Sequence, residues 1–256
     1  MLNYSVTGRE QGLPVLLVHG LYGQGRNLGV IARHLGVSRP VITVDQRNHG
    51  DSPMLDRHDY PAMAADLAQV IEAHGGQVDL AGHSMGGKAA MMLALTRPEL
   101  LRKLVVMDIA PLAYSHDQTQ YIDAMQAIDL HGLERRSQAD QRLAAHLDDS
   151  RLRAFFLQSL DLTSRPARWK LNLPVLRREM PVITGWPQDL PHGTFSGPSL
   201  FIRGAQSDYV TRAGQEAIRF YFPQARMLAL KNAGHWLHAD QPAALAETLA
   251  GFLDEG

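Results

Sequence analysis

The chain has 256 residues, of which 45% are hydrophobic and 20% are charged, and its formal net charge is −1. This composition can build one large globular core, and it excludes both a disordered chain and the strongly basic surface that a nucleic-acid backbone requires. Cysteine is absent, which excludes disulfides, thiolate nucleophiles and cysteine-ligated zinc and is compatible with a reducing compartment.

Residues 1–6 do not combine a basic region with an apolar run, as a secretory leader would. Further along the chain, no uninterrupted apolar stretch approaches the roughly 18 residues that span a bilayer. We therefore expect a cytoplasmic protein without a membrane span that does not bind nucleic acid.

Short apolar runs alternate with longer segments of helical period along most of the chain. This alternation is typical of strand–helix units around a mostly parallel sheet whose strands are covered on both faces. Six strands are predicted, at residues 14–19, 40–45, 77–81, 103–108, 199–203 and 226–230. Helices are predicted at residues 60–74, 85–96 and 242–253, where apolar side chains follow helical spacing or Ala and Leu dominate.

The alternation stops after Pro111 and resumes near Pro198. The residues between are rich in Gln, Arg, Asp and Leu at helical spacing. We predict that residues 112–196 form a helical cap inserted into an α/β core made of residues 1–111 and 197–256. Open α/β folds bind ligands at the carboxyl edge of the sheet, so a cap above that edge would act as a lid.

Ser84 lies within residues 82–86 (GHSMG), between the predicted strand at 77–81 and the predicted helix at 85–96. Glycines two positions away on either side allow a sharp turn and let neighbouring backbone pass closely. The turn would expose the Ser84 hydroxyl above the sheet, where the N-terminus of the helix would stabilise developing negative charge. We therefore predict that Ser84 is a nucleophile.

A serine nucleophile needs a base, and the base in turn is oriented by a carboxylate. His235 follows the last predicted strand on a glycine-containing loop, so we predict that it is the base. The acid has two candidates, Asp108 and Asp208, because each follows a predicted strand and each keeps the chain order of serine, acid and histidine. The residues alone leave this choice open.

Two further histidines lie close to these residues in the sequence. His83 sits within the predicted turn, and we interpret it as structural. His238 is three residues from His235, but no third ligand accompanies the pair, so we expect no metal site.

A second donor to the oxyanion is expected from a loop near the first long strand. Residues 19–23 (HGLYG) follow that strand, and we predict the backbone N–H groups of Leu21 and Met85 as the two oxyanion donors. The glycines of residues 20–25 (GLYGQG), with Asp45, also suggest a dinucleotide site. Their spacing is G-x-x-G-x-G and not the G-x-G-x-x-G of that fingerprint, and such a site would leave Ser84 unexplained.

Six stretches of the sequence together resemble the α/β-hydrolase superfamily and, more narrowly, the YbfF-like esterases. They are residues 19–23 (HGLYG), 44–52 (VDQRNHGDS), 60–63 (YPAM), 82–89 (GHSMGGKA), 107–111 (MDIAP) and 233–236 (AGHW). The resemblance covers nearly the whole chain. It implies the α/β-hydrolase fold, with an eight-stranded, mostly parallel sheet and a helical cap, a Ser-Asp-His triad, and hydrolysis of carboxylic esters or acyl thioesters without a cofactor.

The resemblance also bears on the acid. In most of the superfamily the acid stands three residues beyond the glycine that ends the seventh strand, which here is the position of Ser207, and Asp208 comes one place late. In YbfF-like proteins this segment also carries serine, and the acid follows the sixth strand, which corresponds to Asp108. We therefore favour Asp108, with Asp208 as the alternative because a shifted loop could still deliver its carboxylate.

The function that follows is a serine esterase or thioesterase that acts on a small acyl ester or thioester through an acyl-enzyme. The alternatives are a carbon–carbon bond hydrolase or a cofactor-free perhydrolase on the same triad, and a ligand-binding protein of this fold without catalysis. The chain is compatible with a monomer or a small homo-oligomer.

Two features of the predicted cap bear on the substrate. Residues 155–157 (FFL) are a candidate wall for an acyl chain, although core packing explains them equally well. A group of basic residues would either attract an anionic substrate such as a coenzyme A thioester or simply face solvent. This group consists of Arg165, Arg168, Lys170, Arg177 and Arg178.

Overall fold

The computed structural model describes residues 1–187 and 193–255. Its strands are β1 (Tyr4–Gly8), β2 (Val15–Val18), β3 (Pro40–Val44), β4 (Val78–His83), β5 (Leu101–Met107), β6 (Leu160–Asp161), β7 (Arg168–Trp169), β8 (Ser199–Gly204) and β9 (Ala225–Leu230). Its helices are α1 (Gly29–Leu35), α2 (Tyr60–Glu72), α3 (Met85–Thr96), α4 (Thr119–Ala127), α5 (Arg136–Leu143), α6 (Ser150–Leu157), α7 (Leu173–Arg178), α8 (Met180–Thr184), α9 (Arg212–Tyr221), α10 (Leu237–Asp240) and α11 (Pro242–Asp254). The six predicted strands and three predicted helices are all present, with ends that differ by at most two residues.

The main sheet has the strand order β1-β3-β2-β4-β5-β8-β9. The strands run parallel except β1, which pairs antiparallel with β3. The expected fold is therefore confirmed, but the expected count of eight strands is wrong for the described residues, which form a seven-stranded main sheet. The reason is that the chain before β2 contributes one strand only, and that strand is an exposed edge with nothing paired on its outer side.

Helices cover both faces of the sheet, and the side chains of β2 show how the layers form. Leu16 and Val18 pack in one apolar cluster with residues of α2 and α3, whereas Val15 and Leu17 pack in another with residues of α1 and α11. Because successive strand residues point to opposite faces, a short apolar strand can serve both clusters. The carboxyl ends of the parallel strands are left free of these helices and carry the loops of the candidate site.

Residues 112–196 connect β5 to β8, and we call them the cap segment. Within its described part, residues of α4, α5, α6 and the β6–β7 hairpin pack around a small apolar cluster that includes Leu133, Leu143 and Leu160, whereas residues of α7 and α8 pack in the cluster of α2 and α3. Short helices are the main regular elements of the segment, with loops between them. Its separation from the core as a distinct domain stays a prediction.

No helix among the described residues is long and apolar enough to cross a membrane.

Candidate active site

Ser84 stands at the sharp turn between β4 and α3. Its φ is +52°, a conformation that residues with a Cβ rarely adopt. Its backbone N–H donates to Met107 O at 3.0 Å, which ties the turn to β5. The flanking glycines are required by close backbone contacts, because a Cβ on Gly82 would lie 2.3 Å from Gly86 O and one on Gly86 would lie 2.4 Å from His19 O. The turn therefore has the form that the sequence predicted.

His235 follows β9 and lies between Ser84 and Asp108. Its Nε2 is 3.0 Å from Ser84 Oγ, and its Nδ1 is 2.7 Å from Asp108 Oδ2. An ionised carboxylate can only accept hydrogen bonds, so Nδ1 carries the ring proton and Nε2 is free to accept from the Ser84 hydroxyl. The structure thus brings the three sequence-predicted residues into one hydrogen-bonded chain.

Asp108 is fully buried, and its carboxylate is surrounded by donors. Oδ1 accepts from the backbone N–H of Gly204 at 2.9 Å, and Oδ2 accepts from the Ser207 hydroxyl as well as from His235. A buried charge is tolerated only when such donors replace water. The backbone at Asp108 also has a positive φ, +53°, and its N–H donates to Ile202 O at 2.8 Å.

Asp208, the alternative acid, is exposed to solvent, and Asp108 occupies the position beside Nδ1 of His235. Its two neighbours in the sequence contact the site instead. Ser207 donates to Asp108, and the Tyr209 ring stacks on the His235 ring at a centroid distance of 3.7 Å and an angle of 14°. The sequence had indicated Ser207 only as the position where an acid was missing, and its role as a donor to Asp108 went unrecognised.

Leu21 and Met85, the predicted oxyanion donors, both line the cavity that contains Ser84. Met85 is the first residue of α3, so its N–H has no acceptor within the helix. The loop before Leu21 approaches the serine closely, since a Cβ on Gly20 would lie 3.1 Å from Ser84 Cβ. The arrangement is compatible with two N–H groups converging beside Ser84 Oγ.

His83 links this turn to the loop that carries His235. Its Nε2 is 2.8 Å from the backbone oxygen of His235, to which it donates. Burial, with smaller contributions from His238 and His235, holds the pKa of His83 well below its ordinary value, so the ring stays neutral. His83 is therefore structural, as interpreted from the sequence, and its specific role is to hold the backbone of His235.

The cavity around Ser84 encloses about 230 Å³. Loops at the carboxyl edge of the sheet form one side, and the cap segment forms the other. Two of the three residues of the predicted acyl wall, Phe155 and Phe156, line this cavity, whereas Leu157 packs in the apolar cluster of the cap segment. Further apolar and aromatic lining residues are Tyr22, Leu28, Tyr60, Ile109, Tyr114, Tyr121, Leu152, Ile183 and Trp236.

Lys88, one turn after Ser84 on α3, is a lysine with only 1% of its surface exposed. Its Nζ donates to Thr184 O at 3.0 Å and to Gly185 O at 2.5 Å, at the end of α8, and lies 4.7 Å from the centroid of the Tyr114 ring. Burial lowers the pKa of Lys88 to about 7. This ammonium joins the helix of Ser84 to the cap segment, a role that the Ala-rich sequence of α3 did not reveal.

The basic residues of the cap segment are paired with other groups. Salt bridges join Arg168 to Asp161, Lys170 to Asp51, Arg177 to Asp123 and Arg178 to Glu179, and Arg165 donates to backbone oxygens. The residues that line the cavity in the described part of the chain include none of these five. Paired, outward charges favour the solvent-facing interpretation over attraction of an anionic substrate.

Asp45, which the dinucleotide interpretation required, is used within the protein. Its carboxylate accepts from the backbone N–H groups of Gly25 and Asp51 and from the Asn3 amide. Across residues 1–187 and 193–255, no group of three or more His, Asp or Glu side chains is arranged to hold a metal ion.

Comparisons with known proteins identify the family of the chain. A family model described as the alpha/beta hydrolase fold matches residues 14–242. Esterase YbfF of Escherichia coli (strain K12) is 39% identical over 248 residues, which are 94% of this chain and 93% of that protein. The sn-1-specific diacylglycerol lipase ABHD11 of Mus musculus is 36% identical over 98% of this chain and 85% of that protein.

Solved structures give the same picture. A marine microorganism esterase superposes with a TM-score of 0.93 at 34% identity, over 98% of each chain. A thioesterase domain from the curacin biosynthetic pathway shares the fold with a TM-score of 0.74 at 22% identity, over 96% of this chain and 94% of that one.

Proposed function

Because the chain belongs to the α/β-hydrolase family, as a YbfF-like esterase that acts on ester bonds, we propose that it cleaves its substrate through a triad of Ser84, His235 and Asp108. The observation that carries this proposal is the pair of contacts made by one imidazole, 3.0 Å to Ser84 Oγ and 2.7 Å to Asp108 Oδ2. These are the distances at which a base can remove a hydroxyl proton while a carboxylate orients its ring.

In the first half of the reaction, Ser84 Oγ attacks the carbonyl carbon of the ester while His235 Nε2 takes the hydroxyl proton. The carbonyl oxygen becomes an oxyanion and accepts from the N–H groups of Leu21 and Met85. When the tetrahedral intermediate collapses, the bond to the leaving group breaks and His235 returns the proton to it. The products of this half are the free alcohol or thiol and an acyl group on Ser84.

In the second half, water takes the place of the alcohol. His235 removes a proton from the water as it attacks the acyl carbon, a second oxyanion forms, and the proton returns to Ser84 Oγ when the acid leaves. Asp108 stays ionised throughout, because its role is to orient the imidazole and stabilise the imidazolium. The donors from Gly204 and Ser207 support this role by holding the carboxylate in place.

We further propose that the substrate is a small acyl ester or acyl thioester whose acyl chain lies against the cap segment. The aromatic and aliphatic lining of the cavity supports an apolar acyl group. Esters and thioesters share the same tetrahedral steps and differ in the leaving atom. Rates measured on both substrate classes therefore identify the leaving group.

The test is a panel of p-nitrophenyl esters and acyl thioesters, from acetyl to dodecanoyl, assayed with the wild type and with Ser84→Ala. We expect turnover by the wild type, and a loss of about 10⁶-fold in kcat for Ser84→Ala, as for removal of a serine nucleophile elsewhere. Circular dichroism of both proteins controls for folding. A fluorophosphonate should add its mass to Ser84 in the wild type, and labelling at another residue would contradict the proposal.

A further inference from the structure

Tyr22 occupies a backbone conformation that its side chain disfavours. Gly20, Leu21, Tyr22 and Gly23 form a tight turn closed by a bond of 3.0 Å from Gly23 N to Gly20 O, and the third residue, Tyr22, has a φ of +63°. Positive φ at the third position of a turn is adopted most readily by glycine. A residue with a Cβ stays there only when its surroundings hold it, and such positions often belong to functional sites.

Three hydrogen bonds hold Tyr22. Its hydroxyl donates to Gln118 O at 2.9 Å, its backbone oxygen accepts from Ser159 Oγ at 3.1 Å, and its backbone N–H donates to His49 Nε2 at 3.1 Å. Only the bond to His49 acts on the peptide group that joins Leu21 to Tyr22. Holding that peptide restricts ψ of Leu21, and together with the closed turn it fixes the direction of the Leu21 N–H.

The surroundings of the His49 imidazole keep its Nε2 as a hydrogen-bond acceptor for the Tyr22 N–H. Its Nδ1 lies 2.9 Å from Arg47 O, which can only accept, so Nδ1 carries the proton and Nε2 has a free lone pair. The ring is fully buried. Burial and the neighbouring rings of His19 and His58 hold the pKa of His49 well below its ordinary value, so a second proton does not displace the Tyr22 N–H.

The loop that carries His49 is itself fixed from the cap segment. The N–H of Gly50 donates to Lys170 O at 2.8 Å, and Asn172 N donates to Asn48 O at 3.0 Å. The residues on both sides of His49 are therefore bonded to the cap segment, and the His49 imidazole links this fixed loop to the strained turn at Tyr22. This gives a role to the stretch 44–52, which carried the family resemblance but had no assigned function.

We propose that His49 is a positioning residue for the oxyanion loop: its Nε2 holds the Tyr22 N–H and thereby aims the Leu21 N–H at the substrate oxygen beside Ser84. The inference rests on the proposed function, in which Leu21 is an oxyanion donor. It assigns to His49 no contact with the substrate.

A matched pair of variants distinguishes the roles of the two ring nitrogens of His49. His49→Gln keeps an acceptor at the position of Nε2, whereas His49→Asn keeps a donor at the position of Nδ1 and loses that acceptor. Loss of an oxyanion donor typically costs about 100- to 1,000-fold in kcat, so a misdirected donor should lower kcat of His49→Asn by about 10- to 100-fold. We expect KM within about twofold of the wild type, and kcat of His49→Gln within about threefold, because the acceptor for Tyr22 N–H is kept.

A second measurement distinguishes positioning from a loss of stability. A trifluoromethyl ketone forms a tetrahedral adduct on Ser84 whose oxygen occupies the oxyanion position, so its inhibition constant for His49→Asn should rise by the same factor as kcat/KM falls. His74→Asn is the control, because His74 also bonds a backbone oxygen through Nδ1, at 2.8 Å from Val70 O, but lies outside the site. It should retain the kcat of the wild type.

Equal kcat in the wild type and His49→Asn would overturn the inference, as would equal losses in His49→Asn and His49→Gln, since both would mean that the acceptor is irrelevant. If His49→Asn does not fold, His49→Gln alone decides, because a tenfold or greater loss of kcat in a folded His49→Gln would also overturn it. Failure of the proposed function has a different signature: Ser84→Ala would stay active and the ketone would not inhibit the wild type.

Discussion

The loops at the carboxyl edge of the sheet and the cap segment build opposite sides of one cavity, but they hold their backbones differently. Over the described residues, every non-glycine residue with a positive φ belongs to the edge loops. These residues are Tyr22, Asn48, Ser84, Asp108 and Asn232. In the described part of the cap segment, which has short helices, a hairpin and the loops between them, no residue other than glycine has a positive φ, and ion pairs lie on the surface.

The difference indicates that the edge loops and the cap segment have different functions. Strained turns persist only where hydrogen bonds over-determine them, and such bonds place reacting groups accurately. At Asp108 the strained backbone and the carboxylate are both bonded to β8 and the residues after it. A helix surface packed by apolar side chains tolerates substitution more readily, so the cap segment is suited to selecting the acyl chain. Variants of the edge loops should therefore change rates, and variants of the cap segment should change preferences.

Asp108→Asn should have the largest effect among the variants of the edge loops considered below. An amide beside His235 Nδ1 can donate as well as accept, so it stabilises the wrong tautomer and cannot stabilise the imidazolium, which costs about 10⁴-fold in kcat in a comparable triad. The measurement is kcat on a p-nitrophenyl ester at neutral pH. Asp208→Asn, a substitution of the exposed neighbouring carboxylate, is the matched control and should keep the rate of the wild type.

Normal turnover in Asp108→Asn together with loss of turnover in Asp208→Asn would contradict the proposal and would make Asp208 the acid of the triad. The strained turn at Asp108 would then no longer count as an edge loop that places a reacting group.

Ser207→Ala should have an intermediate effect. The Ser207 hydroxyl donates to the same carboxylate oxygen that receives His235 Nδ1, and a hydrogen bond to a charged group contributes about 1.5–3 kcal/mol, so kcat should fall by about 10- to 100-fold. KM should change little, because Ser207 does not line the cavity.

The position of Ser207 allows a rescue experiment that tests whether a second edge loop can supply the acid. In the Asp108→Asn background, Ser207→Asp would supply a carboxylate where the superfamily usually carries its acid, and we expect it to recover part of the lost kcat. A double variant no faster than Asp108→Asn would show that the edge loop after β8 cannot deliver an acid to His235.

The sequence predicted most of the fold, and it singled out three residues that the structure brings together in the candidate site, because local patterns mark both. Ser84 sits in a five-residue motif between a strand and a helix, and His235 follows the last buried strand. The edge strand β1 was missed because its residues are exposed and carry no buried face for a pattern to mark. The choice of Asp108 over Asp208 needed the family resemblance, since both follow strands.

Other features of the site depend on contacts between distant segments. Ser207 approaches Asp108 across 99 positions of sequence, and Lys88 reaches Thr184 O across 96. A lysine in an Ala-rich helix looks like an ordinary exposed residue until the cap segment is placed over it. No local spacing encodes such pairs, because each depends on how the loops and the cap segment meet above the sheet.

Phe155→Ala should give the smallest effect, and it tests the cap side of the comparison. The Phe155 ring lines the cavity beside Phe156, so its removal should leave space along a long acyl chain and none of the reacting groups displaced. Each buried methylene contributes about 0.8 kcal/mol, so losing contact with one or two methylenes should lower kcat/KM for a dodecanoyl ester by about 4- to 15-fold. The acetyl ester, whose acyl group has only one methyl beyond the carbonyl, should keep its kcat within about twofold.

Arg177→Ala is the control for a generally disturbed cap segment, because the Arg177–Asp123 pair is half exposed and such pairs contribute about 0–1 kcal/mol to stability. It should leave the rates of both esters unchanged. If instead Phe155→Ala slows the acetyl ester as strongly as Ser207→Ala does, the cap segment must help to place the reacting groups. The distinction between an edge that performs the chemistry and a cap segment that selects the acyl chain would then be wrong, and the anchoring of α8 by Lys88 would be the first contact to examine as the means by which the cap segment acts on Ser84.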